Sequence, residues 1–283
     1  MTGDTEATIV VTVSDDLAEI VTDRMWQWGV RAVSETSLGD GRAEVATSVG
    51  NDPAAIDRAL IALDPDWQVD VRAVDAAIGQ VAPEYLSPTW YAPGHVSVPA
   101  SIHPFDFRDE PPELTTIVAQ GSAFGLGDHP TTRTSMALLV AHLRSSGRDL
   151  SALSLLDVGC GTGALAVVAA QLGLVHIRAI DIADAAVEAT RINAALNDVA
   201  GRIDADTTDV ADITDTYDIV MANILAPTLI SMASDLRRVL APGGSLFISG
   251  ILDDRHDHVL AALAPLEPMT SMALDGWITI ELR

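Results

Sequence analysis

The stretch "SLLDVGCGTGALA", residues 154–166, constrains the fold more than any other part of the chain. An apolar run leads into Gly159, Gly161 and Gly163, and apolar residues at helical spacing follow. A strand, a glycine loop and a helix in that order bring main chain and helix amides close to a ligand. Downstream the pattern alternates. Strands are predicted near 153–158, 175–181, 202–206, 217–222 and 244–250, and helices over 130–145, 163–172, 184–197, 226–240 and 254–264. Such alternation implies an α/β, doubly wound and mostly parallel sheet with helices on both faces. The chain ends "EPMTSMALDGWITIELR", two strand-like stretches around Asp-Gly. A hairpin there adds an antiparallel terminal strand to the sheet.

The first part of the chain has a different rhythm. "EATIVVTV" alternates as a strand, and Leu17, Ile20, Val21 and Met25 keep helical spacing behind Ser14, a good N-cap. "VRAVSETS" and "RAEVATSV" read as two strands around the turn "LGDG". "DPAAIDRALIAL" opens a helix with Asp-Pro, and "WQVDVRAV" closes as a strand. The order βαββαβ predicts a small α+β, ferredoxin-like domain over 1–75, which by itself names no function. Residues 76–116 hold seven of the 14 prolines together with Tyr85, Trp90, Tyr91, Phe105 and Phe107. They read as a proline-rich linker laid along a second domain, 117–283.

Composition narrows the partners. The formal charge is −24, and all 16 basic residues are arginine. Residues 1–75 carry 15 acids and 5 arginines, so the acidity is not held in a tail. Such a surface repels phosphate backbones, so no direct nucleic-acid binding is expected, and it attracts a basic protein or cationic substrate. A solvated acidic surface accounts for the same charge. Cys160 is the single cysteine, which excludes an internal disulfide and multi-cysteine metal sites, and no metal is expected. No apolar run is long enough to span a bilayer, and "MTGDTEATIVV" lacks the basic flank and apolar core of a signal peptide. A cytoplasmic protein is expected.

The glycine loop alone fits more than one ligand. Asp181 ends the next predicted strand, where a carboxylate chelates ribose hydroxyls, and Ala164 completes a G-x-G-x-x-A pattern shared with nicotinamide proteins. Asp157, two residues before Gly159, tips the balance. A carboxylate there accepts from the ammonium of a methionine moiety or fixes loop amides, whereas a dinucleotide site prefers an apolar residue beside its pyrophosphate. "YDIVMANILA" ends its strand on Asn223, at the edge of the sheet where α/β folds place ligands. With the antiparallel terminal strand, these features favour S-adenosyl-L-methionine over a nicotinamide cofactor.

Five segments, "GSAFGLGDHPTTRTSMALL", "LLDVGCGTGALAVVAAQLG", "AIDIADAAVEATRINAALN", "DIVMANILAPTL" and "GGSLFISGIL", together resemble the ribosomal protein L11 methyltransferase family (PrmA). "WGVRAVSE" resembles a motif of that family's substrate-recognition domain. The resemblance implies a Rossmann-like class I methyltransferase domain using S-adenosyl-L-methionine. It implies methyl transfer to lysine side chains, and to an N-terminal amine, of a basic ribosomal protein. Carried over by position, it assigns cofactor contacts to Thr132, Gly159, Asp181 and Asn223. Asp157, Gly161 and Gly163 join them from the glycine motif, and Asn223 is the candidate catalytic residue, holding the incoming amine with the Ile224 carbonyl. Bland roles stand beside these: Thr132 and His129 as helix caps, Asn223 as a turn residue, Phe124 packed under its own loop. Asp206 and Asp209 suit either the adenine amino group or a solvated loop. Leu126 and Asp128 stand where the family carries small hydroxyl residues. Other open readings are a different protein or small amine as acceptor, a silent cofactor-binding protein, and an NAD-dependent oxidoreductase.

Overall fold

A computed structural model describes residues 5–26, 28, 30, 33–75, 86–107, 111–119, 125 and 127–283. The chain divides into two compact units, Met1–Tyr85 and Leu86–Arg283.

The first unit runs β1 (Thr5–Ser14), α1 (Asp15–Trp26), β2 (Ser34–Ser37), β3 (Arg42–Ser48), α2 (Pro53–Ile61) and β4 (Gln68–Asp75). Its sheet has the order β2-β3-β1-β4, antiparallel throughout. This is the ferredoxin-like βαββαβ arrangement. Asp52 caps α2 by accepting from the Ala54 amide at 3.1 Å, and Pro53 occupies the first turn, where its missing N–H costs nothing. Ile9, Val11 and Val13 of β1 alternate onto one face and pack with Val21, Met25 and Val45 into a core of the unit's own.

The second unit opens with β5 (Thr89–Ala92), β6 (His95–Pro99) and β7 (Leu114–Val118). These form a three-stranded sheet in which β5 pairs antiparallel and β7 parallel to β6. Residues 86–107 and 111–116, read from sequence as linker, therefore belong to the second unit's fold. Proline density hid them, because His95–Pro99 is buried at every position although it ends in proline. The other elements are α3 (Pro130–Ser145), β8 (Ser154–Val158), α4 (Ala164–Leu172), β9 (His176–Ile180), α5 (Asp184–Leu196), β10 (Ile203–Asp206) and β11 (Tyr217–Asn223). Then come α6 (Ala226–Ser231), α7 (Ala233–Arg238), β12 (Leu240–Leu252), α8 (Asp257–Leu263), β13 (Pro268–Leu274) and β14 (Trp277–Leu282).

The seven-stranded sheet has the order β10-β9-β8-β11-β12-β14-β13. Its first five strands are parallel, and β14 enters antiparallel between β12 and β13. Strand alternation sends Leu155, Ile219, Met221 and Phe247 to one face and Leu156, Val220, Leu246 and Ile248 to the other, so each face builds its own core. Helix α4 is buried from Ala164 through Ala170, which is why it reads as apolar all round. The strand order reverses between β8 and β9 on one side and β11 on the other, which opens a crevice at the carboxyl ends of β8 and β11. Among the described residues, no helix is long and apolar enough to cross a membrane.

Candidate active site

The glycine loop follows β8 directly. Gly159, Gly161 and Gly163 have φ of 69°, 55° and 73°, the left-handed region that glycine enters without strain. Two of them also lack room for a side chain. A Cβ on Gly159 would stand 2.5 Å from Ile224 Cγ2, and one on Gly163 would stand 2.6 Å from Thr190 Cγ2. The Gly159 and Cys160 amides both donate to the Ile180 carbonyl, at 2.8 and 3.0 Å, tying the loop to β9. Thr190 and Asn193 of α5 brace it from behind. Thr190 Oγ1 donates to the Gly161 carbonyl at 3.2 Å and Asn193 Nδ2 to the Thr162 carbonyl at 2.8 Å.

Two carboxylates attend the loop. Asp181 Oδ2 accepts from the Gly161 amide and Oδ1 from the Ala183 amide, both at 3.0 Å. Asp157 is 1% exposed and accepts from the Ala166 amide in the first turn of α4 at 3.3 Å. Burial pushes its pKa up to about 7, with the neighbouring Asp181 adding to the rise. Asp181 suits a dinucleotide as well, but a buried acid at Asp157 beside the loop disfavours a pyrophosphate. It favours a cationic ligand.

At the far side of the crevice, the end of β11 meets the start of α3. His129 caps α3: its Nδ1 accepts from the Thr131 amide at 3.3 Å and lies 2.8 Å from Thr131 Oγ1. Burial lowers its pKa, and its ring meets Trp277 edge-on at 5.4 Å. Thr132 is 1% exposed, and its Oγ1 receives a hydrogen bond from Asn223 Nδ2 at 3.4 Å. The Asn223 amide is thereby turned, and its Oδ1 is buried with no hydrogen-bond partner. A buried acceptor left unmade costs about 1–3 kcal/mol. A turn residue has no reason to carry that cost, whereas an acceptor reserved for a ligand does.

Comparison with known proteins now decides between the ligands. Residues 85–283 match the family model described as ribosomal protein L11 methyltransferase (PrmA). Relatives named ribosomal protein L11 methyltransferase include one from Trichlorobacter lovleyi, 34% identical over 88% of this chain and 78% of its own. Another, from Ralstonia nicotianae, is 33% identical over 96% of both chains. The crystal structure of a ribosomal protein L11 methylase from Lactobacillus delbrueckii subsp. bulgaricus superposes with a TM-score of 0.61 at 28% identity. It covers 69% of this chain and 97% of that one. The chain belongs to the ribosomal protein L11 methyltransferase family. It is a class I methyltransferase and uses S-adenosyl-L-methionine.

The residues present fit that cofactor. Asp157 and Asp181 set negative charge beside the loop for a ligand that bears an ammonium and a sulfonium. Asp181 lies where a ribose would be met, and Ile182, the next residue, leaves a large apolar side chain 66% exposed, as a flat heterocycle requires. Asn223 Oδ1, at the carboxyl end of β11, is an acceptor with no partner in the protein. Asp206 is instead ion-paired with Arg178 at 2.9 Å, and Asp209 caps the turn at 210–212 by accepting from the Ala211 amide. Asp128 is exposed, while Phe124 and Leu126 lie outside the described residues. Sequence reading missed Ile182, Thr190 and Asn193. An exposed isoleucine directly after the strand-ending acid was the available signal for the first. Mid-helix Thr and Asn carry none.

Proposed function

We propose that this methyltransferase transfers methyl groups to amine nitrogens of ribosomal protein L11, on lysine side chains and the N-terminal amine. The reading rests on one observation above the others: Asn223 Oδ1, buried and unpartnered, at the carboxyl end of β11. An amine nitrogen donates hydrogen bonds while presenting its lone pair, so an amide oxygen is the acceptor that aligns it. In this reading Thr132, by accepting from Asn223 Nδ2, fixes the amide and leaves its oxygen for the amine. The Ile224 carbonyl gives a second acceptor on the same side. Bound S-adenosyl-L-methionine supplies an electrophilic methyl on sulfonium sulfur. This chain's residues supply alignment, which is where a preactivated donor leaves most of the rate to be gained. Gly159, Gly161 and Gly163 give the cofactor access to main chain, Asp181 takes its ribose, and Asp157 receives its ammonium.

In this reading the first unit, Met1–Tyr85, carries the substrate-recognition domain, and the second, Leu86–Arg283, is the catalytic domain. A charge of −24 supports a basic, lysine-bearing partner over nucleic acid. A cytoplasmic site of action follows from a ribosomal substrate. The test is mass spectrometry of purified L11 incubated with enzyme and S-adenosyl-L-methionine. The expected result is mass gain in steps of one methyl group, with Asn223→Ala losing the gain while calorimetry finds its cofactor binding intact. No gain with the wild-type enzyme, cofactor still bound, would move the acceptor to another amine.

A further inference from the structure

Ile224, the residue after Asn223, lies between two glycines far apart in sequence, one against its side chain and one against its peptide. On one side is the cofactor loop, where a Cβ at Gly159 would meet Ile224 Cγ2. On the other side is Gly250 of β12. Ser249 is the register partner of Asn223, so Gly250 stands against the next peptide along. Its φ is +83°, and a Cβ there would lie 2.5 Å from the Ile224 carbonyl oxygen, 2.7 Å from the carbonyl carbon and 3.3 Å from the nitrogen. These are main-chain atoms, which cannot rotate away as a side-chain tip does. Gly250 also sits at a bulge, because β12 pairs Ile248 with Ile280 and then Ile251 with Ile278, one extra residue on the β12 side. Bulges of this kind bend a strand and re-aim its neighbours.

We propose that Gly250 is a positioning residue for methyl transfer: its missing side chain lets β12 close onto the Ile224 peptide and sets the direction of the carbonyl that accepts the substrate amine. The proposal rests on the amine-acceptor reading of Asn223 and Ile224 and adds a residue that reading does not use. Gly243 is a matched control. It lies in the same strand at φ +77°, and a Cβ there would meet nothing within 4 Å. Alanine at either position carries the same left-handed strain, but only alanine at 250 displaces Ile224.

The experiment compares Gly250→Ala and Gly243→Ala for turnover on L11 and for S-adenosyl-L-methionine affinity by calorimetry. Gly250→Ala is expected to lower kcat by about 100-fold, the scale of losing one preorganised polar contact. Its cofactor Kd should stay within about threefold, and Gly243→Ala should keep kcat. Unchanged kcat at 250, equal losses at both positions, or cofactor affinity falling in parallel overturns the proposal. A wild-type measurement covers two further cases, a Gly250→Ala protein that does not fold and a wild-type enzyme inert on L11, which sinks the substrate reading alone. Carbonyl-13C isoleucine with 15N leucine reports on two steps only, Ile224–Leu225 and Ile251–Leu252. Adding n-butylamine to the complex with S-adenosylhomocysteine should shift the first and spare the second. A first signal that does not move overturns the proposal.

Discussion

Asp157 illustrates how a single buried residue ties fold to ligand. Its carboxyl spends one hydrogen bond on the first turn of α4 and is otherwise out of water, so burial holds its pKa near about 7. The sign of the consequence follows from linkage. Its folded pKa is raised above the unfolded value, so the folded state binds the extra proton. Asp157 therefore favours folding least at high pH: stability falls as pH rises from the unfolded pKa through about 7. A bound ammonium reverses the preference by stabilising the carboxylate. Cofactor affinity is thus expected to rise with pH between about 5 and 7, by up to about tenfold per unit, and to level off above. Calorimetry in two buffers of different ionisation enthalpy should find net proton release near neutral pH. An Asp157→Asn protein should bind more weakly and without that pH slope. Release of no proton in the wild type would mean that Asp157 serves α4 alone.

At the scale of elements, α5 reaches further than an ordinary crossover helix. Asn193 Nδ2 holds the Thr162 carbonyl of the glycine loop, and Asn193 Oδ1 accepts from the Ala119 amide just past β7 at 2.7 Å. Thr162 Oγ1 in turn donates to the Gly125 carbonyl at 2.6 Å. One asparagine therefore couples the cofactor loop to the chain that precedes α3. Asn193→Ala leaves a donor and an acceptor unmade, a loss of about 1–3 kcal/mol for each buried group left unpaired. A drop in Tm and weaker S-adenosyl-L-methionine binding are expected together, checked by thermal melts and calorimetry. A stability loss with affinity unchanged would confine Asn193 to packing. Neither role was legible in the sequence, because hydrogen bonds from mid-helix side chains leave no period. The alternation of strands and helices was legible, since burial on two faces of a parallel sheet writes apolar runs at fixed lengths. Where the prediction of one helix over 226–240 gave way, the cause is visible. Ala226, Leu229, Ala233 and Leu236 keep helical spacing and join one core although the chain breaks at Met232 between α6 and α7. The strand predicted near 244–250 likewise starts earlier, as β12 from Leu240, with its pairing jumping from Leu240 to Ser245 across 241–244. Asn223 could be placed at a strand end, but its contact with Thr132 and its unpartnered oxygen leave no mark in the sequence.

At the scale of the whole molecule, the chain has a physical boundary between its two units. Each has its own hydrophobic core: Ile9, Val11, Met25 and Val45 belong to the first unit, and the clusters on both faces of the seven-stranded sheet belong to the second. A unit with its own core folds on its own terms. Every residue of the candidate site, from Thr132 to Gly250, lies in the second unit, as do the braces at Thr190 and Asn193. A protein comprising residues 86–283 is therefore expected to melt cooperatively and to bind S-adenosyl-L-methionine within about threefold of the full chain, since no cofactor contact has been removed. Methylation of L11 should behave differently. If the first unit holds the substrate, as proposed, its removal makes the substrate amine reach the crevice from bulk solution rather than from a tethered partner. The loss of effective concentration should cost about 100-fold or more in kcat/KM, carried by KM. Steady-state kinetics on intact L11 and on a short lysine peptide separates the terms. Intact L11 should lose its advantage over the peptide, and the peptide should be methylated equally by both proteins. Full activity of residues 86–283 on intact L11 would instead assign recognition to the catalytic unit's own surface.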